Sequence, residues 1–198
     1  MSRNVKILLG VLSAVSLFAL GLIVYSIAFG SQSTEDLLVS DWQLLTYGDP
    51  PMTIQSPAPL NPITLQLPPQ VRRYIDQMHT YAFEEGSDLS IMISTVTYLP
   101  EINPDLKGAA RGAIVEMRAR KGISDVAFKE EPYYLANLTG ILQHGTFRHD
   151  GDAYDFSNLM FVYNKSLMQM MVSFRSGDED GQAIRDRLLK SLRISIPS

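Results

Sequence analysis

The pattern of apolar positions changes twice along the chain, and each change separates segments of different character. Residues 7–29 contain no charged side chain. That is the length of apolar run that a helix needs to cross a bilayer. Residues 31–69 hold seven of the eleven prolines, a density that argues against a long helix or a central strand. Beyond residue 70, alternating and helical periodicities follow one another, which is typical of a folded domain.

Antiparallel strands are predicted through much of that domain. The candidate strands are residues 78–84, 89–99, 126–129, 138–149, 153–163 and 166–175. The dipeptide Asp150-Gly151 predicts a two-residue hairpin turn, and Asn164-Lys165 is a weaker signal of the same kind. With both turns tight, His149 lies opposite Asp152 and Phe161 lies opposite Met168.

Both faces of this predicted meander are apolar, whereas a sheet open to water on one side alternates apolar and polar positions. The sheet is therefore expected to be covered on both sides, with helices as the available covers. One helix is predicted to begin with Asn103 as N-cap and Pro104 at the first helical position, and to end near Gly122. The other covers residues 178–193, with acidic residues at its start and basic residues at its end.

The predicted fold class is therefore α+β, an antiparallel sheet sandwiched between helices (α/β/α) and preceded by one transmembrane helix. Arg3 and Lys6 are the only charged residues before Glu35, so the positive-inside rule predicts a cytoplasmic N-terminus. A cleaved signal peptide is the alternative, because Ser26 and Ala28 place small residues at a peptidase-like spacing. The apolar run exceeds the roughly 7–15 residues of a signal h-region, which favours an uncleaved anchor.

Four segments follow from these predictions. Residues 1–6 are a cytoplasmic N-terminus, 7–29 a signal anchor in the lipid bilayer, 30–59 a proline-rich tether and 60–198 the folded domain. The expected localisation is a single-pass membrane protein with an extracytoplasmic C-terminal domain, periplasmic if the host is Gram-negative.

Composition excludes several classes of function. The chain has 198 residues, 45% of them apolar and 19% charged, with a formal net charge of −4. Without Arg3 and Lys6, 15 basic residues face 21 acidic ones, so the chain beyond residue 30 carries −6. An acidic domain of this kind is a poor nucleic-acid binder, because phosphate binding rests on basic charge. The absence of cysteine excludes disulfides and thiolate chemistry.

Two arrangements of polar residues suggest chemistry, and neither is complete. His149 and Asp152 form a cross-strand pair, but a metal site usually needs three or four ligands. His144 is predicted opposite Ser157 with Asp155 nearby, a nominal catalytic set. No Gly-x-Ser-x-Gly elbow or helix start would supply an oxyanion hole there. We therefore predict no enzyme activity, metal or cofactor.

Aromatic residues in loops supply the other binding candidates. Trp42 lies in the proline-rich segment, and Tyr133 and Tyr134 follow Pro132; exposed aromatics often anchor partner proteins. Together with the polar pairs, the candidate binding residues are Trp42, Tyr133, Tyr134, His144, His149 and Asp152. Lys107, Arg111 and Arg118 form one basic side of the first helix, and this pattern is typical of a solvated helix face.

The order of these elements resembles a known superfamily. The residues concerned are Leu67-Pro68-Pro69, Thr97-Tyr98, Leu138-Thr139-Gly140 and the terminal helix through Ile194. Over residues 60–196 they are similar to the PsbP-like superfamily of the photosystem II extrinsic protein, the Ran-binding nuclear import factor and DcrB-type periplasmic lipoproteins. The resemblance implies an α/β/α sandwich that serves binding or assembly rather than catalysis.

The predicted function is a non-catalytic, membrane-anchored binding or scaffold domain that serves the assembly or maintenance of an envelope complex. Its expected partner is a membrane or envelope protein, and no nucleic acid. Two alternatives stay open: a small-ligand or metal carrier with its site between sheet and helix, and a hydrolase using Ser157 and His144.

Overall fold

The computed structural model describes residues 33–65, 67–83 and 89–196. The chain forms ten strands and four helices in these ranges. In chain order they are α1 (Thr34–Val39), β1 (Gln43–Tyr47), β2 (Met52–Ser56), β3 (Asn61–Pro62), α2 (Pro69–Arg72), β4 (Ile75–Phe83), β5 (Leu89–Tyr98), α3 (Leu106–Ala119), β6 (Ile123–Leu135), β7 (Leu138–His149), β8 (Asp152–Tyr163), β9 (Ser166–Arg175), α4 (Glu179–Ser191) and β10 (Arg193–Ile194).

A seven-stranded antiparallel sheet forms the centre of the molecule, in the order β3-β4-β5-β9-β8-β7-β6. The two hairpin predictions are confirmed, because tight turns fix the pairing of their flanking strands. His149 pairs with Asp152 and Phe161 pairs with Met168. Asp150 and Asn164 adopt positive φ in the two turns, at 48° and 51°, a conformation that Asp and Asn tolerate better than most residues.

Both faces of this sheet are covered, but the prediction of an α/β/α sandwich is wrong. Strands hold 51% and helices 23% of the structure, in two sheets. Helix α3 covers one face, whereas the other packs against α1, α4 and a second sheet of order β1-β2-β10. Arg193 of β10 pairs with Thr53 of β2, so this cover joins segments that are far apart in sequence.

The stretch predicted as a proline-rich tether contributes to the core from residue 33 onward. Leu37, Met52 and Ile54 are each no more than 1% exposed and pack in the cluster that holds α4 to the central sheet. Such complete burial removes apolar surface from water at about 25 cal/mol per Å². These residues therefore help to fix the second sheet on the first.

The membrane prediction is corrected. Over residues 33–65, 67–83 and 89–196, no helix has the length and apolar character needed to cross a membrane. The predicted anchor over 7–29, with Arg3 and Lys6 beside it, lies outside the described residues. The finding that no described helix could cross a membrane contradicts the expected single-pass topology and signal anchor, and with them the extracytoplasmic placement of the domain.

Helix α3 begins later than predicted. Asp105, not Asn103, is its N-cap and accepts a hydrogen bond from the backbone N–H of Lys107 at 3.1 Å. The Asn103 side chain instead accepts a hydrogen bond from Lys165 Nζ at 2.6 Å. Pro104 lies outside the helix, because the first helical residue is Leu106. The start of α4 agrees with the prediction, because Asp178 caps it by accepting from the Gly181 N–H at 3.0 Å.

A row of polar side chains crosses the central sheet under α3. Gln143, Asn158 and Gln169 are no more than 3% exposed. Gln169 Nε2 donates to Asn158 Oδ1 at 2.7 Å, and Asn158 Nδ2 donates to Gln143 Oε1 at 3.0 Å. Gln143 Nε2 then donates to the Ala110 carbonyl at 2.8 Å and to Glu130 Oε2 at 3.1 Å. These bonds satisfy polar groups whose burial would otherwise cost free energy.

The hydroxyl of Tyr98, in contrast, is a buried polar group that is not hydrogen-bonded to any described residue. The Tyr98 side chain is 1% exposed. Burial raises the pKa of Tyr98 far above its ordinary value of about 10. Above pH 10 the unfolded chain therefore loses a proton that the folded chain keeps, and stability falls as pH rises by about 1.4 kcal/mol per pH unit.

We expect Tyr98→Phe to leave the free energy of unfolding at pH 7 unchanged or to raise it by up to about 1 kcal/mol, because a buried, unpaired hydroxyl is removed. The variant should also lose stability less steeply above pH 10. Urea unfolding from pH 7 to 11 measures both effects. Tyr134→Phe, at a residue 73% exposed, is the control and should keep the wild-type slope; a Tyr98→Phe slope equal to it would contradict the argument.

Candidate binding site

The free edge of the central sheet carries the most distinctive surface of the described structure. Strand β6 pairs only with β7, and most of its side chains are exposed. Side chains alternate between the faces of a strand, and Glu130 contacts Gln143 beneath α3. Phe128, Glu130, Pro132 and Tyr134 therefore share the face on which α3 lies.

Helix α3 turns its basic flank toward this row. Lys107, Arg111 and Arg118 are four and seven residues apart, which places all three on one side of the helix. The Arg118 guanidinium lies 5.7 Å from the centre of the Phe128 ring and donates from Nη2 to the Val126 carbonyl at 3.3 Å. These contacts fix the distance between the helix and the strand near residue 118.

We define the α3–β6 trough by the residues on its two walls: Lys107, Arg111 and Arg118 on the helix, and Phe128, Glu130, Pro132 and Tyr134 on the strand. Near the start of α3 it widens into a cavity of about 460 Å³. Leu106, Pro132 and Ile141 supply apolar lining, and the charged lining consists of Lys107 and of the carboxylates of Asp105, Glu130 and Glu131. Thr139, which pairs with Tyr134, also lines the cavity.

The charges of the trough are not equally free to meet a ligand. Glu130 is held by the buried Gln143 at 3.1 Å, so its carboxylate is positioned from below. Asp105 is engaged as the helix cap. Lys107 is exposed at the rim and Arg111 donates from Nε to the Lys107 carbonyl at 3.3 Å. The helix wall therefore presents positive charge over a largely apolar floor.

Of the two predicted tyrosines, only Tyr134 belongs to the trough. It is 73% exposed. Tyr133 points to the opposite face, where its hydroxyl donates to the Leu189 carbonyl at 3.2 Å and its ring meets Phe161 edge-on at 6.2 Å. Tyr133 therefore ties β6 to α4 and is not available as a partner anchor.

The other predicted residues lie at separate places. His144 Nε2 is 3.9 Å from Glu131 Oε1. It pairs in register with Ser157, as predicted, but no hydrogen bond joins the two side chains. The nominal catalytic set therefore lacks the contact that would activate a serine.

His149 and Asp152 lie at the far hairpin tip. His149 Nε2 is 3.5 Å from Asp150 Oδ2, and Asp152 accepts a hydrogen bond from Arg175 at 3.3 Å. In the part of the chain that the structure describes, no three His, Asp or Glu side chains are grouped so that they could hold a metal ion.

Trp42 packs in the fold instead of projecting into solvent. Its Nε1–H lies 3.2 Å from the carbonyl oxygens of Leu37 and Leu38, at the end of α1. The Arg187 guanidinium covers its ring at 4.0 Å. Trp42 therefore holds the end of α1 and stacks against Arg187 of α4.

Sequence reasoning missed Phe128, Glu130 and Pro132 as site residues. The predicted strand covered only residues 126–129, whereas β6 runs from Ile123 to Leu135. In the structure Pro132 lies in the edge strand, where a missing N–H is tolerated. Residues 126–134 offered no alternation of apolar and polar positions that could have extended the strand, because three apolar residues are followed by three charged ones.

Comparison with known proteins does not assign the chain to a family. No family model matches the chain, and no curated protein matches it. Matches among solved structures include a Pseudomonas aeruginosa protein of unknown function, a suggested regulator. It is 9% identical, covers 71% of this chain and 100% of its own, and gives a TM-score of 0.45. The resemblance to the PsbP-like superfamily is not tested by these findings and stays a prediction.

Proposed function

We propose that this domain is a non-catalytic binding module that holds an extended, acidic and partly apolar segment of a partner protein in the α3–β6 trough. The observation that carries the proposal is the pairing of the two walls. Exposed aromatic and proline side chains on β6 face a row of cations on α3, across an apolar floor.

The strand wall supplies contact area. The side chains of Tyr134 and Phe128 are large and aromatic, yet the two residues are 73% and 38% exposed. Aromatic side chains contribute much of the binding energy at protein interfaces, because they bury a large area at a small cost in side-chain entropy. Pro132 between them keeps the strand wall rigid.

The helix wall selects charge. Lys107, Arg111 and Arg118 concentrate three positive charges, whereas the chain beyond residue 30 carries −6 overall. Complementary charge raises the rate of association and rejects partners of the same sign. An acidic segment is therefore favoured over a basic one along the helix wall, whereas the carboxylates of Asp105, Glu130 and Glu131 lie at the cavity end of the trough.

The edge of β6 favours binding in the trough over addition of a strand to the sheet. Its pairing with β7 shifts register between Ser124 and Ala127, and Asp125 has a φ of 52°. Lys129 and Glu131 add charge along the edge, and Pro132 lacks an N–H. Bulges, charges and prolines are the means by which edge strands avoid pairing with another chain.

A small-ligand carrier is the second candidate function. The cavity of about 460 Å³ at the start of α3 falls within the roughly 300–1,000 Å³ of small-molecule sites. Its lining combines apolar residues with one cation, Lys107, and three carboxylates, Asp105, Glu130 and Glu131. Native mass spectrometry of the purified chain would reveal a copurifying small molecule that is lost in Lys107→Glu, a variant of a lining residue.

The peptide proposal is tested by selecting binders from a displayed library of random peptides. We expect enriched sequences with Asp or Glu beside apolar or aromatic residues. Tyr134→Ala and Lys107→Glu should each weaken the best peptide at least about 10-fold in fluorescence polarisation, equivalent to about 1.4 kcal/mol.

Two substitutions outside the trough are the matched controls. Leu44→Ala removes another exposed apolar side chain, at a residue 68% exposed, and Lys190→Glu reverses a charge on α4. Both should bind the peptide as the wild type does. Failure to enrich any acidic peptide, or equal loss of binding in the control variants, would contradict the proposal.

A further inference from the structure

A second, polar groove lies on the opposite side of the molecule from the trough. It runs between α4 and strand β2, has a volume of about 550 Å³, and is distinct from every residue of the α3–β6 trough. We call it the α4–β2 groove. The residues of interest in its lining are Gln55, Asp186, Arg187, Lys190 and Arg193.

Arg187 is held in a fixed position in this groove. Its guanidinium lies 4.0 Å from the centre of the Trp42 ring, and its Nε–H donates to Gln55 Oε1 at 3.1 Å. Both of its terminal nitrogens have no hydrogen-bond partner among the described residues. A guanidinium stacked on an aromatic ring and anchored at Nε loses little further freedom when it binds an anion.

Two further cations converge on the same space. Lys190 follows Arg187 by one helical turn, and its ammonium group has no ion-pair partner in the ranges that the structure describes. Arg193 is anchored by Nη1, which donates to the carbonyls of Lys190 and Leu192 at 3.1 and 2.8 Å. All three cations thus line one groove.

The single carboxylate in the lining does not neutralise them. Asp186 Oδ1 accepts from Arg185 Nε and lies 2.8 Å from Arg185 Nη2. Arg185 is not a lining residue of the groove. The groove therefore carries an excess of positive charge in a domain that is acidic overall.

We infer that the α4–β2 groove binds a multiply charged phosphate group. A planar guanidinium donates two parallel hydrogen bonds to phosphate oxygens, and a neighbouring ammonium adds a point charge. Three converging cations match the charge of a di- or triphosphate better than that of a single carboxylate. This inference is independent of the proposed peptide function, because the two surfaces share no residue.

Trp42 gives a direct test, because it is the only tryptophan in the chain and stacks on Arg187. We expect inorganic pyrophosphate, titrated at constant ionic strength, to change Trp42 fluorescence in a saturable manner. Lys190→Glu should weaken the apparent affinity at least about 10-fold. Lys107→Glu, which reverses a charge in the trough, should keep the wild-type affinity.

A second titration distinguishes a soluble phosphate compound from the phosphate headgroup of a lipid. Vesicles of phosphatidylcholine with phosphatidic acid, whose headgroup is a phosphate monoester, replace pyrophosphate in the same titration. Saturation by pyrophosphate identifies a soluble ligand, whereas saturation by vesicles alone identifies a lipid headgroup. Either result supports the site if Lys190→Glu lowers the apparent affinity in that titration. A response that does not saturate in either titration, or that is unchanged in Lys190→Glu, would overturn the inference. Equal urea midpoints for the variants would establish that they fold alike.

Discussion

Replacing Asn158 with alanine is expected to lower the free energy of unfolding by about 3–5 kcal/mol. Asn158 is 1% exposed and bonds to Gln143 on one side and Gln169 on the other, at 3.0 and 2.7 Å. Its loss leaves a buried carbonyl and a buried amide without partners, at about 1–3 kcal/mol each, and adds a small cavity. Urea unfolding at pH 7 measures the difference.

Asn103→Ala is the matched control for this experiment. Asn103 is exposed and accepts one hydrogen bond from Lys165, so its loss should cost no more than about 0.5–1 kcal/mol. Equal stability of the two variants would show that the buried polar row contributes little.

Gly145→Ala is expected to separate part of β6 from β7 and to destabilise the protein by about 2–3 kcal/mol. A Cβ atom at residue 145 would overlap the Ala127 carbonyl oxygen and lie 2.6 Å from Phe128 Cα. Both are backbone atoms and cannot rotate away, so the strand itself must move. The measurement is amide hydrogen exchange of β6, which should become faster around residues 127 and 128.

Gly177→Ala is the control for the glycine effect. Residue 177 has a φ of 86°, and apart from its two chain neighbours no described residue has an atom within 4 Å of an added Cβ. We expect backbone strain of about 1 kcal/mol or slightly more, with exchange in β6 unchanged. Wild-type exchange of β6 in Gly145→Ala would contradict the close approach of the two strands.

The central meander could be predicted because its information is local. Two-residue turns at Asp150-Gly151 and Asn164-Lys165 fix the register of three strands, and the structure confirms the pairs His149–Asp152 and Phe161–Met168. The apolar character of both faces also showed that both are covered. It could not show what covers them, because helices and sheets bury apolar surface equally well.

The second sheet depended on contacts that leave no local signal. Arg193 and Ile194 pair with Thr53 and Met52 across most of the domain. A two-residue strand has no periodicity to detect, and the prolines around residues 50–59 pointed to a tether. The α/β/α prediction failed for this reason.

The binding site could be predicted only in part. Tyr134 was identified from its sequence context, and the basic side of α3 was identified as a pattern typical of a solvated face. Nothing in the sequence showed that Lys107 and Tyr134 lie on opposite walls of one trough, because this depends on how α3 packs over the sheet edge. Trp42 and Tyr133 resembled partner anchors but contribute to packing.

The most direct test of the account is hydrogen–deuterium exchange of the full chain with and without the best selected peptide. The account predicts protection confined to α3, residues 106–119, and β6, residues 123–135, and predicts that Tyr134→Ala abolishes it at the same peptide concentration. Protection at the α4–β2 groove instead, or none on either wall of the trough, would contradict the claim that the trough is the binding site.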